Sequence, residues 1–484
     1  MSSPKNPPKP HKNASAGRPS SAGQHSSAGQ HSSTGQHSST GQHSSAGQHS
    51  STGQHSSAGK PSKNAPKPHK SVPPHTTHTG KGRQGIASTS EHQSIPPLKV
   101  GKISAQYLQQ GHGWVTRDKE LGDTNPYRPG QVVSLVGPEG EWLAQALIDP
   151  EARVVARVIS RNRQEVLDDH TLRKRVLQAL ARRASVRAHS SAYRIIHSEA
   201  DGLPGLTVEA FGDYLVAQLY TPAAQRLGEL ALDALMKTGT FKGAYLKALP
   251  RDRRQGPETP GQWVHGEAGP ESLLVHEHGV MFRVSPFDGL SPGLFLDMRE
   301  NRRIVAELAR GKRLLNTFAY TGGFSVVAAL HGAEVDTLDL SAKVLEQARE
   351  NFRLNQLPVE GDSPHRFLAQ DTFAFLTHPD THYGVVVLDP PTFSTSREST
   401  WSPGRITELN ALALHALEPE GLLVTFSNYA HMKEEVFLEA VRQAGIEARR
   451  SFQGVQLLQA GMDFPWLPGF PESRHLKGFV LRVA

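Results

Sequence analysis

The sequence predicts an α/β protein in which a doubly wound parallel sheet follows a small β-barrel and an α+β segment, with a disordered tail in front. Three observations predict it. Residues 291–484 alternate strand-like and helix-like segments, residues 98–165 carry short β-branched runs between Gly and Pro turns, and residues 1–97 are polar and low in complexity. At 484 residues the chain exceeds the roughly 250 to 300 at which one core stops growing, so several domains are expected.

Composition excludes whole classes of chemistry. There is no cysteine, which removes disulfides, thiolate metal sites and cysteine nucleophiles. No run approaches the roughly 20 apolar residues of a membrane span, and the amino end lacks the basic-then-apolar order of a signal peptide, so a cytoplasmic enzyme is expected. The net charge is +7, but residues 1–97 hold eight Lys, two Arg and one Glu, hence +9, which leaves −2 on the other 387 residues. Attraction for phosphate therefore belongs to the tail, and the body is nearly neutral.

The tail is built on a six-residue repeat, Ser-Ser-Ala/Thr-Gly-Gln-His, in six copies from Ser20 to His55. Such a composition buries too little apolar area to offset chain entropy, so residues 1–97 are expected to be disordered. Spaced histidines could hold zinc or nickel. An expanded repeat with no site is the plainer reading, and no metal is assigned.

Order is expected from residue 98. Lys99–Ile103, Gly130–Val136, Trp142–Ile148 and Val154–Ile159 are short β-branched runs that read as the barrel. From Asp168 the period becomes helical, with Leu172, Val176, Leu177, Leu180 and Ala181 among arginines. Strands at Tyr193–Glu209 (two, with a turn), Tyr214–Tyr220, Gly243–Lys247 and Val280–Val284, and a helix at Arg226–Met236, complete an α+β domain over residues 166–290.

In residues 291–484 the first strand, Arg313–Phe318, runs into Gly322 and Gly323 before an apolar helix. In open α/β sheets this loop is where nucleotide-like ligands bind, because glycines let the backbone approach closely. Val335–Asp339 is a second strand whose terminal carboxylate, next to Leu340, can accept both hydroxyls of a ribose. Ser341 then caps a helix. Asp371 and Thr372 follow a third strand, where they could hold an adenine amino group, and Asp389 ends a fourth, Val385–Leu388. Four successive strand ends with such groups point to an adenosine cofactor. After Asp389, Pro390 and Pro391 fix two φ angles and remove two N–H donors, so the carboxylate is presented rigidly to whatever reacts beside it.

From about Lys99 to Ala484 the chain resembles the S-adenosylmethionine-dependent methyltransferases of bacterial 23S rRNA that place a PUA-like barrel and a small α+β domain before a Rossmann-like class I catalytic domain. The motifs that carry the resemblance are Glu199–Leu206, Gly293–Arg299, Asn316–Phe324, Asp389-Pro-Pro and Leu476–Phe479. It implies S-adenosyl-L-methionine as cofactor, with Phe295, Asp297 and Arg299 near its methionine end and Asn316, Phe318, Tyr320, Thr321, Gly322 and Gly323 on the first loop. It also implies Asp389, Pro390, Pro391 and Phe393 at the target base, Phe393 stacking on it.

Two departures qualify this. The cytosine-C5 members attack the ring with a cysteine after the fifth strand, where this chain has Leu422–Asn428 and no cysteine at all. Asp389–Ser394 and Phe426–Asn428 resemble instead the guanine-N7 half of a related bifunctional enzyme, whose target is already a lone pair. Gly111–Trp114 also differs from the His-Pro-Trp entry of the barrel, which leaves two uses for it, RNA recognition or a structural cap. The expected partner is RNA, 23S rRNA by the resemblance, without a membrane; the oligomeric state is open and a homodimer admissible. A methyltransferase of a protein or small molecule, or a noncatalytic RNA-binding or ribosome-assembly factor, are the alternatives.

Deleting residues 1–95 should leave the melting temperature and cofactor affinity unchanged while weakening RNA retention at low salt. A melting temperature several degrees lower in the truncated protein would refute the boundary.

Overall fold

The computed structural model describes residues 95–248, 261–288, 292–391, 402–429 and 432–484. The repeat, its histidines and the expected disorder of the tail up to residue 94 lie outside the described residues, as does Phe393.

The first layer comprises β1 (Pro97–Lys99), α1 (Lys102–Gln109), β2 (Trp114–Thr116), β3 (Val132–Val136), β4 (Trp142–Ile148) and β5 (Val154–Ser160), one sheet in the order β1-β3-β4-β5-β2. Leu98, Val133, Leu135, Ala146, Ile148 and Val155 are its core. The run at Lys99 does not continue as a strand. Beyond Val100 the buried positions become Ser104, Ala105 and Leu108, a helical spacing, and α1 starts at Lys102 after Gly101.

In the middle, α2 (Asp169–Arg182) is capped by Asp168, whose side chain accepts from Thr171 N at 2.8 Å. After α3 (Ala184–Arg187) come β6 (Ala192–His197), β7 (Leu206–Phe211), β8 (Tyr214–Leu219), α4 (Gln225–Met236), β9 (Gly243–Ala248) and β10 (Gln262–Gly266). The sheet order is β10-β9-β8-β7-β6, with α2 and α4 packed together. A separate hairpin, β11 (Leu273–Glu277) and β12 (Val280–Val284), leads onward.

The last domain contains α5 (Arg299–Leu308), β13 (Arg313–Thr317), α6 (Gly323–Leu330), β14 (Glu334–Asp339), α7 (Ala342–Leu354), β15 (Arg366–Ala369), α8 (Thr372–Thr377), β16 (Tyr383–Leu388), α9 (Pro403–His415), β17 (Leu417–Ser427), α10 (Glu434–Ala448), β18 (Phe452–Leu458) and β19 (Lys477–Val483). The sheet runs β15-β14-β13-β16-β17-β19-β18, parallel from β15 to β17 and antiparallel at β19 and β18. Chain order reverses between β13 and β16, so a crevice opens at their carboxyl ends, the place where such sheets take ligands. Val385, Val387, Leu422 and Val424 face one core, Val386, Leu388 and Leu423 the other.

Buried polar contacts hold these layers together. Asp463, with its side chain fully buried, takes Arg299 Nη2 on Oδ1 at 2.5 Å and the Arg194 backbone N–H on Oδ2 at 2.9 Å, while its carbonyl accepts from Arg183 Nη2 at 3.1 Å. Arg183 also binds both oxygens of the buried Asp201, at 2.7 and 2.6 Å. The barrel is fixed similarly. Trp114 Nε1 donates to Glu199 Oε1 at 2.7 Å and packs edge-on to Phe470, and the Gly111 backbone lies so close to Gly469 that a Cβ on Gly111 would come within 3.2 Å of its Cα. Through these contacts Gly111–Trp114 docks the barrel on the carboxy-terminal region.

Removing one partner of a buried pair leaves an uncompensated charge. Asp463→Ala should destabilise the fold by about 3 to 5 kcal/mol in urea unfolding, whereas surface Glu439→Ala should cost under about 1 kcal/mol. Equal effects would show that the pair is not a linchpin.

Candidate active site

The loop between β13 and α6 is shaped by its own strain. Phe318 and Tyr320 sit at φ 50° and 52°, uncommon for residues with side chains, and Gly322 at φ 77° starts α6. A Cβ on Gly322 would lie 3.0 Å from Ala348 Cβ of α7. Asn351 Nδ2 holds Thr321 O at 2.9 Å.

Two further contacts clasp the Gly293–Arg299 segment to this loop. Gly293 N donates to Tyr320 Oη at 2.8 Å, and Thr321 Oγ1 donates to Gly293 O at 2.5 Å. Phe295, 46% exposed, then lies with its ring 5.3 Å from that of Tyr320. At the end of β14, Asp339 is oriented by backbone donors, Tyr320 N on Oδ2 and Ser341 N on Oδ1, both at 2.9 Å. Each oxygen keeps a lone pair for a ligand hydroxyl. Leu340 beside it is 74% exposed, a large apolar side chain with no core to cover it. Asp371 caps α8 through Ala374 N at 2.9 Å, which commits Oδ1, and Thr372 is buried behind it.

Asp389 directly follows β16 across the switch point. It keeps some contact with solvent, yet the protein packed around it pushes its carboxyl up to about 7, and the Asp297 charge adds to this against a weaker pull from Arg302. Asp297 moves the other way. Burial opposes its ionisation, but the 2.8 Å hydrogen bond and charge of His475, with Arg194 and Arg302, hold it below the usual carboxylate range. Past Asp389, a narrow hollow is lined by Pro390, Pro391, Asn410, Phe426, Asn428 and Tyr429.

The structure therefore brings Phe295, Asp297, Phe318, Tyr320, Thr321, Gly322, Gly323, Asp339, Leu340 and Asp389 to the carboxyl edge of the sheet, with Asp371 and Thr372 one strand over. Two expected ligand residues do not face the crevice. Arg299 is fully buried on Asp463, and Asn316, also buried, donates to Ser325 Oγ at 2.9 Å beneath the loop. Each supports the site from behind, because its polar head already has a buried partner. His475, Arg302 and Glu277 were missed. Arg302 pairs with Glu277 at 2.6 Å and donates to Phe295 O at 3.0 Å. A single Arg or His without a local partner gives no sequence signal.

Comparison with known proteins decides the family. Residues 202–466 match the S-adenosylmethionine-dependent methyltransferase model, and residues 98–161 that of a PUA-like domain. The chain belongs to the S-adenosylmethionine-dependent methyltransferases. Among its relatives, the ribosomal RNA large subunit methyltransferase I of Erwinia tasmaniensis is 32% identical over 394 residues, 80% of this chain and 99% of that protein. That of Shewanella denitrificans is 31% identical over 396 residues, covering 80% and 98%. A methyltransferase crystallised with SAH has the same fold, with a TM-score of 0.71 at 24% identity over 80% of this chain and all of the other. A SAM-dependent methyltransferase from Streptococcus mutans superposes at 0.68, with 25% identity and the same coverage. Among the described residues of this methyltransferase, no helix is long and apolar enough to cross a membrane.

A carboxyl whose folded pKa lies above its unfolded value near 3.9 stabilises the fold at low pH, and this is lost as pH rises through the folded value. The stability difference between wild type and Asp389→Asn should be largest in favour of wild type below about pH 4 and fade through about pH 7. A difference that stays flat from pH 4 to 8 would contradict the raised pKa.

Proposed function

We propose that this enzyme methylates large-subunit rRNA, 23S rRNA in a bacterium, by direct in-line transfer to a base nitrogen, with guanine N7 favoured. The observation that carries this is the crevice end of β16, where Asp389 is followed at once by a double proline and lies beside an ionised Asp297, in a chain without cysteine. The names and near-complete coverage of the relatives support the RNA class.

The residues suit the cofactor. Two neighbouring carboxyls, Asp297 ionised and Asp389 able to ionise, suit the sulfonium and ammonium that S-adenosylmethionine carries. Asp339 would hold the ribose, Leu340 would cover one face of the adenine, Asp371 would take its amino group through Oδ2, and Phe295 with the clasped loop would bound the methionine end. When bound, the cofactor offers an electrophilic methyl on sulfur.

Guanine N7 presents a lone pair. That pair becomes the new C–N bond as the C–S bond breaks and sulfur keeps its electrons, so no proton is lost and no base is needed. The purine gains a positive charge, which an ionised Asp389 offsets. The Pro390–Pro391 turn and the hollow running to Asn428 would hold the base in line, positioning that supplies much of the rate. A cytosine-C5 route would need a covalent nucleophile, which no cysteine provides.

Asp339→Ala should abolish cofactor binding in calorimetry, whereas Asp389→Asn should bind the cofactor within about tenfold and lose at least about a hundredfold in transfer to rRNA. Because ionised Asp389 is the active form, kcat/KM for the cofactor, which reports on the free enzyme, should rise through about pH 7, and this limb should vanish in Asp389→Asn. Unchanged cofactor affinity in Asp339→Ala, or a covalent complex with 5-fluorocytosine-substituted rRNA, would overturn the reading.

A further inference from the structure

Three ligand-type side chains from separate elements meet away from the crevice. His189 follows α3, His278 opens the two-residue turn between β11 and β12, and Glu300 lies in the first turn of α5. The imidazoles of His189 and His278 stack with centroids 4.2 Å apart and planes 20° apart. His278 Nε2 stands 3.4 Å from Glu300 Oε1, and one donor atom from each of the three lies within 4.8 Å of the other two.

The backbone that carries the cluster is tightly held. His278 N donates to His189 O at 2.7 Å, Ser191 N to His276 O at 3.0 Å, and Ser190 forms a β-bridge with Glu277. His278 and Gly279 occupy φ 49° and 83°, the paired left-handed conformations that a two-residue hairpin turn demands. Asn-Gly fills such a turn with less strain than His-Gly, although His is itself among the side chains that tolerate a positive φ.

We propose that His189, His278 and Glu300 bind a zinc-class divalent cation, with water as the fourth ligand. Zinc holds imidazole nitrogen at about 2.0 to 2.1 Å and carboxylate oxygen at about 2.0 to 2.2 Å, which puts tetrahedral donors about 3.4 Å apart. His278 and Glu300 already have that separation, and His189 must close by on the order of 1 Å and turn its ring out of the stack so that both imidazole lone pairs meet at the ion. Two imidazoles and a carboxylate suit zinc, cobalt or nickel better than calcium or magnesium. A metal takes imidazole as the neutral ring and a carboxyl as its ion, so zinc and protons compete for the site. Two cations also touch Glu300, Arg299 Nε at 3.3 Å and Arg303 Nε at 3.7 Å. Arg299 is matched by Asp463, and Arg303 is exposed. A bound ion would staple the middle domain to α5, the helix that begins two residues after Asp297.

The test uses the full chain, stripped with a chelator and then titrated with zinc chloride. Wild type should gain about 5 °C in melting temperature at a hundredfold excess over Kd. His278→Asn should gain nothing, although its stripped form should melt at or above stripped wild type because Asn-Gly relieves the turn. His189→Ala should likewise stay flat. Zinc taken up by the histidines of residues 1–94 is common to all variants and cancels in the comparison. With cobalt(II), the visible bands of a tetrahedral site should be stronger in wild type than in His278→Asn. An equal rise in all three proteins, no rise in wild type, or identical cobalt spectra overturns the site.

Discussion

The buried carboxylate of Asp463 is the constraint on which the arrangement of the site depends. It takes the Arg299 guanidinium on one oxygen and the Arg194 backbone N–H on the other, and its carbonyl receives Arg183. Three groups distant in sequence are thereby fixed to one point. Burying those charges is costly unless all are paired, so the segment entering α5 has one position and not several. Two residues before Arg299 lies Asp297, and four before it Phe295, which the same anchor holds beside the first loop.

From that anchoring follows the electrostatics. Asp297 stays ionised because His475 hydrogen-bonds to it, and its charge helps keep the proton on Asp389. Two carboxyls of one type are driven in opposite directions by their surroundings, the pattern by which one fold separates the roles of chemically identical groups. The third element is rigid backbone: the left-handed loop residues, the Asp339 carboxylate held by two N–H groups, and the double proline. Preorganisation of this kind suits a reaction in which positioning and charge, not a covalent catalyst, lower the barrier.

Much of the fold was legible in the sequence for physical reasons. The strands of the last domain that are buried on both faces read as continuous apolar runs, the helical period from Asp168 announced α2, and the cap Ser341 announced α7. Short elements carried too little pattern: α1 was hidden behind a β-branched run, and β2, β10 and β11, of three to five residues, left no usable period. In the site, residues that end strands were visible because position alone marks them. Arg299 and Asn316 read as ligands because the partners that occupy them, Asp463 and Ser325, are recognisable only in three dimensions. The docking of Gly111–Trp114 was not legible either, because its partners Phe470 and Glu199 are distant in sequence.

The central claim is that a chain without cysteine uses Asp389 to direct methyl transfer onto a base nitrogen of large-subunit rRNA. It is tested most directly by mass spectrometry of nucleosides from 23S rRNA of a deletion strain, re-expressing either wild-type protein or Asp389→Asn. The account predicts that one methylated guanosine, 7-methylguanosine in first place, disappears on deletion and returns only with wild type. Loss of 5-methylcytidine, or an unchanged nucleoside profile, would contradict it.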